Sequence, residues 1–327
     1  MAVVDAQPVL PVRPAEQLGL VGMASIPGRL FACTPSRLTS WVDCPRRYRL
    51  TYLDRPRPPA GPPWAHNSFG AGIHNALAGW WRLPRGQRTV GAAGQLLDAG
   101  WSAEGFRDPA QSSAWLVRGR ALVQRYVAAL DPGREPLGVE RTIAARTNRL
   151  ALSGRVDRLD DRDGELVVVD YKTGRRPLTV DDTRGSMALA LYAVAAAATL
   201  RRRCVRVELH HLPTGEVHAY EHTDESLQRQ VRRAEQIADE AEAATAELKA
   251  QTAAAPVGAP APASAAEMFA PRPGSQCGWC DMRAHCPEGA AAAPAQLPWA
   301  GLGEDKAGEA DAGQTGPSVP DPSSVVI

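Results

Sequence analysis

The chain has 327 residues, and 37 basic against 36 acidic side chains leave a formal net charge of +1. The length allows one large domain or two small ones, and the near-zero charge does not by itself indicate a polyanionic partner. There is no apolar run of 18 residues and no charged-then-apolar leader, so we expect a cytoplasmic protein without a membrane span. In that compartment the six cysteines are more often metal ligands or buried thiols than disulfides.

Three stretches have the composition of non-globular chain. Residues 1–30 are rich in proline, residues 251–266 are an uncharged Ala/Pro linker, and residues 289–327 carry a net charge of −4 among Ala, Gly, Pro and Ser. Such segments have too few large apolar side chains to offset the entropy of ordering. We therefore expect a flexible N-terminal segment, one domain over residues 31–288 with an internal linker, and a disordered acidic C-terminal tail.

Hydrophobic periodicity predicts helices before strands. A helix is expected to begin at an N-cap on Ser36, and helical spacing continues over 68–82 and 112–130. The predicted strands, rich in β-branched residues, cover 137–144, 149–158, 165–171, 204–212 and 216–222. Two further helices are predicted over 184–200 and 224–249. A strand meander surrounded by helices predicts a single α/β domain.

Residues 154–176 carry two acids and a lysine on neighbouring predicted strands. Asp157 and Asp170 lie near strand ends, and the hairpin signal Asp163-Gly164 joins the two strands. Side chains alternate along a strand, so Asp170 and Lys172 share a face. Two converging carboxylates favour Mg²⁺ or Mn²⁺, and a neighbouring ammonium could orient the attacking water or hold the scissile phosphate.

The alternative interpretation is that these side chains are solvated residues of a turn and a strand end. Only three of the 37 basic residues are lysines, Lys172, Lys249 and Lys306, and the other 34 are arginines. A chain that uses arginine for generic positive charge makes a lysine directly after an acidic strand more informative. The composition therefore favours the metal-site hypothesis.

The pattern resembles the PD-(D/E)XK nuclease superfamily, and within it the RecB-like exonuclease branch. The branch has a Gly-x-x-Asp-Arg strand, an Asp-Tyr-Lys-Thr-Gly strand end and an upstream Gly-x-x-x-His helix. These motifs match Gly154 to Arg158, Asp170 to Gly174 and Gly70 to His74. The resemblance covers roughly residues 31–288 and implies a restriction-endonuclease-like core, a central mixed sheet flanked by helices.

The resemblance also implies roles for single residues. Asp157 and Asp170 are expected to ligate the metal, with His74 completing the site and Lys172 positioning water and phosphate. Glu140 matches an acid that the family often carries near the metal.

Three further residues belong to the expected site. Tyr192 matches the tyrosine of a Gln-x-x-x-Tyr helix, although Ala188 stands where the family has glutamine to help position substrate. Arg175 and Arg176 follow the lysine, and arginine suits bidentate contact with phosphate. The Ala188 departure leaves efficiency or substrate choice open.

Cys277, Cys280 and Cys286 form a compact group of potential thiolate ligands, and a tetrahedral thiolate site needs a fourth. Cysteine candidates for the fourth ligand are Cys33, Cys44 and Cys204, with His285 as a further possibility. Spacing alone does not separate zinc from iron.

Cys44 precedes a proline, and this feature together with the three C-terminal cysteines resembles the iron–sulfur members of the branch. Those are AddB-type helicase–nuclease subunits and CRISPR-associated spacer-processing nucleases. The resemblance implies a [4Fe–4S] cluster on Cys44, Cys277, Cys280 and Cys286 that staples the two ends of the domain together. Cys33 and Cys204 are then expected to behave as small hydrophobic residues.

We therefore expect a Mg²⁺- or Mn²⁺-dependent exodeoxyribonuclease that acts on single-stranded or open-ended DNA in repair or recombination. The sequence has no Walker loop, so any helicase motor is expected to be another polypeptide. One alternative is a cluster-stapled DNA-binding module with weak or no nuclease activity. Another is a zinc protein that uses the same cysteines to bind a partner.

Overall fold

The computed structural model describes residues 30–254 and 267–303. Nearly all of the predicted flexible N-terminal segment, most of the predicted linker and residues 304–327 of the predicted tail lie outside the described residues.

A six-stranded mixed sheet forms the centre of the described chain. Its strands are β1 (Phe31–Cys33), β2 (Gly138–Arg146), β3 (Leu150–Arg162), β4 (Glu165–Lys172), β5 (Cys204–His211) and β6 (Glu216–Glu221). One edge of β3 pairs antiparallel with β2, and the other pairs with β1 near its start and with β4 near its end. Parallel β4 and β5 need a crossover, which the chain between them supplies as helices.

Nine α-helices within the described residues flank the sheet. They are α1 (Pro35–Asp43), α2 (Pro45–Tyr52), α3 (Ala65–Arg82), α4 (Val90–Ala99), α5 (Pro109–Ala128), α6 (Val180–Gly185), α7 (Met187–Leu200), α8 (Asp224–Ala254) and α9 (Pro287–Ala292). The expected α/β fold, a mixed central sheet between helices, is confirmed. None of the described helices combines the length and hydrophobicity needed to cross a bilayer.

The central strand β4 separates two apolar cores. Leu166 and Val168 pack in the core with α1, α7 and α8, whereas Val167 and Val169 pack in the core with α3, α4 and α5. All four side chains are fully buried. Burial on both faces explains why β4 is a continuous apolar run instead of an alternating one.

Several helix boundaries differ from the predictions; α8 continues to Ala254, into the predicted linker, and two other boundaries show a clear cause. The N-cap of α1 is Thr34, whose side chain accepts the N–H of Arg37, because Pro35 already fits the first helical position. The predicted helix over 184–200 is two helices. Ser186 interrupts the helical backbone after α6 and caps α7, because its side chain accepts the N–H of Leu189. Local capping chemistry, which short-range periodicity does not reveal, sets both boundaries.

The described chain also continues beyond residue 288, where we expected the acidic tail to begin. Residues 289–303 include most of α9 and a short 3₁₀ turn at 300–302. Leu302 is 4 % exposed and packs in the core of α3, and Pro298 accepts the N–H of Ala65. The segment lies on the domain because this buried leucine and its backbone contacts offset the low hydrophobicity around it.

Candidate active site

The strands β3 and β4 separate where the predicted acids lie. The last pair of their ladder is Arg158 with Val169, so Asp157 and Asp170 follow as the next opposed positions. Asp157 Oδ2 accepts the backbone N–H of Tyr171 at 2.7 Å. The carboxylate thus satisfies a donor at the end of the ladder and is held in place by the backbone of the neighbouring strand.

Helix α3 brings His74 to this strand end. His74 Nδ1 lies 3.1 Å from Asp157 Oδ1. One turn earlier, a Cβ atom added to Gly70 would lie 3.2 Å from Thr173 Oγ1. The glycine therefore lets α3 approach the segment after Lys172 closely, which explains the spacing of the Gly-x-x-x-His motif.

Glu140 approaches from β2, on the other edge of β3. In the antiparallel register it stands between the pairs Val139–Arg158 and Arg141–Val156, opposite Asp157. Its φ of 50° is in the left-handed region, which a glutamate adopts at a cost in backbone strain. Its carboxylate also pairs with the exposed Arg155 at 2.8 Å.

One potential ligand atom from each of His74, Glu140 and Asp157 lies within 4.8 Å of the others. Two ligands that each lie about 2.1 Å from one ion are at most about 4.2 Å apart, so a divalent cation needs only small shifts of these side chains. Imidazole nitrogen and carboxylate oxygen are suitable donors for Mn²⁺, and carboxylates suit Mg²⁺. The residues present therefore fit the divalent metal that this kind of site implies.

Asp170 lies beside that group but is not one of its three members. Its Oδ2 atom is 2.7 Å from Lys172 Nζ. Burial and the neighbouring Asp157 raise the pKa of Asp170 above its ordinary value, while the Lys172 ammonium acts in the opposite direction. The predicted acid and lysine are therefore paired at the edge of the three-residue group.

The acids of the site raise the pKa of His74. Burial works to lower the pKa of this imidazole, but the hydrogen bond and charge of Asp157, with the charges of Asp170 and Glu140, raise it above its ordinary value. Three acids close enough to perturb one histidine create a local negative field. A bound cation would relieve that repulsion.

Tyr192 of α7 lies against β3. A Cβ atom added to Gly154 would be 2.5 Å from Tyr192 Cε1, so the ring occupies the space that the glycine leaves. Burial first, then the charges of Asp170 and Asp157, raise the pKa of Tyr192. The tyrosine is thus near the acids, and Ala188 lies one turn earlier in the same helix.

The two predicted phosphate-binding arginines are exposed but have partners within the chain. Arg175 donates from Nη1 to the carbonyl oxygen of Leu302 at 3.2 Å. Arg176 pairs with Asp182 at 2.7 Å. Sequence reasoning missed both contacts, and no local pattern indicates that residue 302 returns to this loop.

Four cysteines line one cavity of about 370 Å³, and they are the four expected to hold a cluster: Cys44, Cys277, Cys280 and Cys286. Cys44 Sγ accepts the N–H of Arg47, and Cys286 Sγ accepts the N–H of Gly289. Each of these two cysteines is the N-cap of a helix whose first residue is proline. The Cys-Pro pairs therefore direct backbone donors at the sulfur atoms.

Gly289 closes one side of the cavity. A Cβ atom added there would lie 3.3 Å from Cys286 Sγ and 3.4 Å from Cys277 Sγ. Cys33 and Cys204 are buried elsewhere, and burial raises the pKa of their thiols to about 11 and about 12. These two behave as small buried side chains.

The comparisons with known proteins concern the same part of the chain. A family model described as the PD-(D/E)XK nuclease superfamily matches residues 32–287. No curated protein matches the chain. Among solved structures, a protein of Eubacterium rectale described as a "Putative exonuclease" is similar with a TM-score of 0.41 at 10 % identity, over 63 % of this chain and 78 % of that chain. With its family model matched over most of its length, the chain belongs to the PD-(D/E)XK nuclease superfamily.

Proposed function

We propose that the protein is a Mg²⁺- or Mn²⁺-dependent deoxyribonuclease of the RecB-like branch. It acts as an exonuclease on single-stranded or open-ended DNA in repair or recombination. The observation that carries this proposal is the convergence of His74, Glu140 and Asp157 within 4.8 Å, beside the ion pair of Asp170 with Lys172.

The residues divide the work by their chemistry. A divalent ion, when bound, makes a water molecule nucleophilic near neutral pH and neutralises charge on the phosphate. His74, Asp157, Asp170 and Glu140 would hold the ion; ligand atoms of His74, Glu140 and Asp157 lie within 4.8 Å of one another, and Asp170 lies beside them. Lys172, whose side chain is 47 % exposed, directs its ammonium at a phosphate oxygen or at the attacking water.

The remaining predicted site residues border this group. Tyr192 lies near the acids and can orient a substrate oxygen through its hydroxyl. Arg175 and Arg176 follow the lysine on an exposed segment and contact the DNA backbone. Their contacts to Leu302 and Asp182 leave other guanidinium nitrogens to donate to phosphate, since each guanidinium has five N–H groups.

We also propose that a [4Fe–4S] cluster binds Cys44, Cys277, Cys280 and Cys286 and joins the two ends of the domain. Three observations support this assignment: the shared cavity, the two N–H···S contacts, and the absence of a side chain at Gly289 next to two of the sulfur atoms. The spacing of the cysteines does not separate zinc from iron, and the choice of a cluster rests on the resemblance.

The test is an anaerobic preparation of the full chain assayed on 5′- and 3′-labelled single strands and duplexes with Mg²⁺, Mn²⁺ or EDTA. We expect labelled nucleotides to be released from ends only with the divalent ions, and the release to be lost in Lys172→Ala. DNA binding without cleavage under every condition would instead support the cluster-stapled binding module. Ala188, at the position of the family's glutamine, is the observation that favours this second candidate.

The same assay tests whether a separate helicase is a partner of the protein. A separate helicase remains an expectation from the resemblance. Stimulation of end-dependent digestion when a helicase opens a blunt duplex would support it.

A further inference from the structure

Tyr171 stands between Asp170 and Lys172, but its side chain is part of the core on the α3 side of the sheet. Tyr171 is only 3 % exposed to solvent. The predicted site does not include Tyr171. Side chains alternate along a strand, so Tyr171 lies on the opposite face from Asp170 and Lys172. Its contacts with the site residues indicate a role beyond packing.

Tyr171 contacts two of the three residues that converge at the candidate metal site. Its backbone N–H donates to Asp157 Oδ2 at 2.7 Å. Its ring meets the imidazole of His74 edge-to-face, with centroids 5.8 Å apart and an interplanar angle of 79°. One residue thus restrains both a carboxylate and an imidazole of the group.

The ring of Tyr171 is itself fixed from the side away from the site. Its hydroxyl accepts a hydrogen bond from Arg158 Nη1 at 3.2 Å. The Arg158 side chain is only 4 % exposed and forms an ion pair with Asp160, 2.9 Å from Nε to Oδ1, although the Nε–H makes no hydrogen bond to any described residue. Its Nη1 atom also lies 3.3 Å from the hydroxyl of Tyr126.

A buried guanidinium is costly unless its donors are paired, so Arg158 has little freedom to move. Its guanidinium carbon also lies 5.3 Å from the centroid of the Trp81 ring. The tyrosine that Arg158 holds therefore has little freedom either. The fixed ring limits the rotation of the His74 imidazole, which the Asp157 carboxylate also restrains.

We propose that Tyr171 is a positioning residue for the divalent-metal site: its ring fixes the imidazole of His74 while its N–H orients Asp157. The inference rests on the proposed function, because it needs the metal to bind there. Partners that orient a metal ligand are commonly worth 10–100-fold in metal affinity. The ring meets the imidazole directly, and the hydroxyl anchors the ring through Arg158.

The test is a Mn²⁺ titration of the full chain without nucleic acid, followed by electron paramagnetic resonance. Tyr171→Leu removes the ring and keeps the N–H, and we expect its Kd for Mn²⁺ to rise about tenfold or more. Tyr171→Phe keeps the ring but loses its anchor on Arg158, so its Kd is expected to lie between those of the parent protein and Tyr171→Leu. The matched control is Phe269→Leu, which removes a fully buried ring from the core on the other face of the sheet.

The Phe269 ring packs on Trp41 edge-to-face and is remote from the strand end that carries the acids. We expect Phe269→Leu to lower the thermal midpoint, as Tyr171→Leu does, while its Kd for Mn²⁺ stays within about twofold of the parent value. Equal weakening in the two leucine variants would assign the effect to packing and overturn the inference. A folded Tyr171→Leu protein with parental Mn²⁺ affinity would overturn it as well.

Failure of the proposed function is distinguishable in the same experiment. If Asp157→Asn binds Mn²⁺ as the parent protein does, the metal site lies elsewhere and both proposals fail. If Asp157→Asn abolishes binding and Tyr171→Leu does not weaken it, only the positioning role fails. Should Tyr171→Leu not fold, Tyr171→Met, which fills the space without a ring, is judged by the same criteria.

Discussion

His74 Nδ1 lies 3.1 Å from Asp157 Oδ1, although 83 residues separate the two in the chain. One is on α3 and the other on β3, so the contact exists only when the helix packs on the sheet. Ile73 and Leu77 of α3 are fully buried in the core beneath it. The candidate metal site is therefore a product of this packing, and its geometry reports on the native fold.

This pair gives the metal-free protein a pH dependence. Burial opposes protonation of His74, but Asp157 and the other acids prevail and raise its pKa. A raised pKa stabilises the fold below the unfolded-state pKa, and that contribution is lost as the pH rises through the folded-state pKa. We expect the unfolding free energy of the parent protein minus that of His74→Asn, in EDTA, to be larger at about pH 5.5 than at about pH 8.5. Denaturant titrations measure both; a difference that does not change with pH contradicts the pairing.

Lys172→Ala is expected to lower the rate of DNA hydrolysis roughly 10²–10³-fold, because it removes a positive charge placed beside the reacting phosphate. Mn²⁺ binding should survive, since the three converging ligand atoms belong to other residues. Single-turnover cleavage of end-labelled DNA is the measurement. Lys249→Ala, an exposed lysine of α8, is the control and should cleave at the parental rate. Parental cleavage in Lys172→Ala would remove the lysine from the mechanism.

Cys286→Ser is expected to abolish the broad visible absorbance of an anaerobic preparation and reduce iron from about four atoms per chain to a small fraction. The sulfur lines the shared cavity, and a serine hydroxyl is a much poorer ligand for cluster iron than a soft thiolate. Cys204→Ala, a buried thiol outside the cavity, should keep the parental colour and iron content. A colourless, zinc-containing parent protein prepared without oxygen would contradict the cluster.

Gly154→Ala tests the packing of Tyr192 on β3. The new Cβ would be 2.5 Å from Tyr192 Cε1, closer than real Cβ contacts, so the ring must move. We expect a loss of about 1–3 kcal/mol in unfolding free energy, together with slower DNA cleavage, because the displaced ring lies near the acids. The exposed neighbour Ser153→Ala should stay within about 0.5 kcal/mol. Equal stabilities of the two variants would show that Tyr192 does not occupy this space.

Arg176→Ala tests the proposed contact with the DNA backbone. We expect weaker binding of single-stranded DNA in EDTA and a salt dependence reduced by about one unit of slope, as for one lost phosphate contact. Fluorescence anisotropy across a salt series measures both. Arg232→Ala, an exposed arginine of α8, should leave the slope unchanged. If the slope of Arg176→Ala equals that of the parent protein, Arg176 makes no phosphate contact. The parent protein then keeps the ion pair of Arg176 with Asp182 in the complex.

The sequence predicted the strands and long helices that carry the motifs, because their periodicity is strong. It missed β1, α2, α4 and α9. Helix α2 (PRRYRLTY) has few apolar residues, and α4 (VGAAGQLLDA) owes its burial to Ala93, Gly94 and Leu97, which pack only once α3 and α5 are present. Tertiary contacts decide such segments, and a local pattern does not contain them.

The candidate site was predictable to a similar degree. The resemblance assigned His74, Asp157, Asp170 and Glu140 to one metal site; ligand atoms of His74, Glu140 and Asp157 lie within 4.8 Å of one another, but nothing in the motifs indicated the left-handed φ of Glu140. The contact between Arg175 and Leu302 was also hidden, because residue 302 lies in a stretch whose composition predicts a tail. Backbone strain and the return of a distant segment are properties of the folded chain.

The most direct measurement is an anomalous difference map at the manganese absorption edge from a crystal soaked in Mn²⁺. A peak bonded by His74, Asp157 and Glu140 is the expected result. A soaked crystal that binds Mn²⁺ elsewhere and leaves these three side chains in contact only with each other would contradict a catalytic metal at the end of β3.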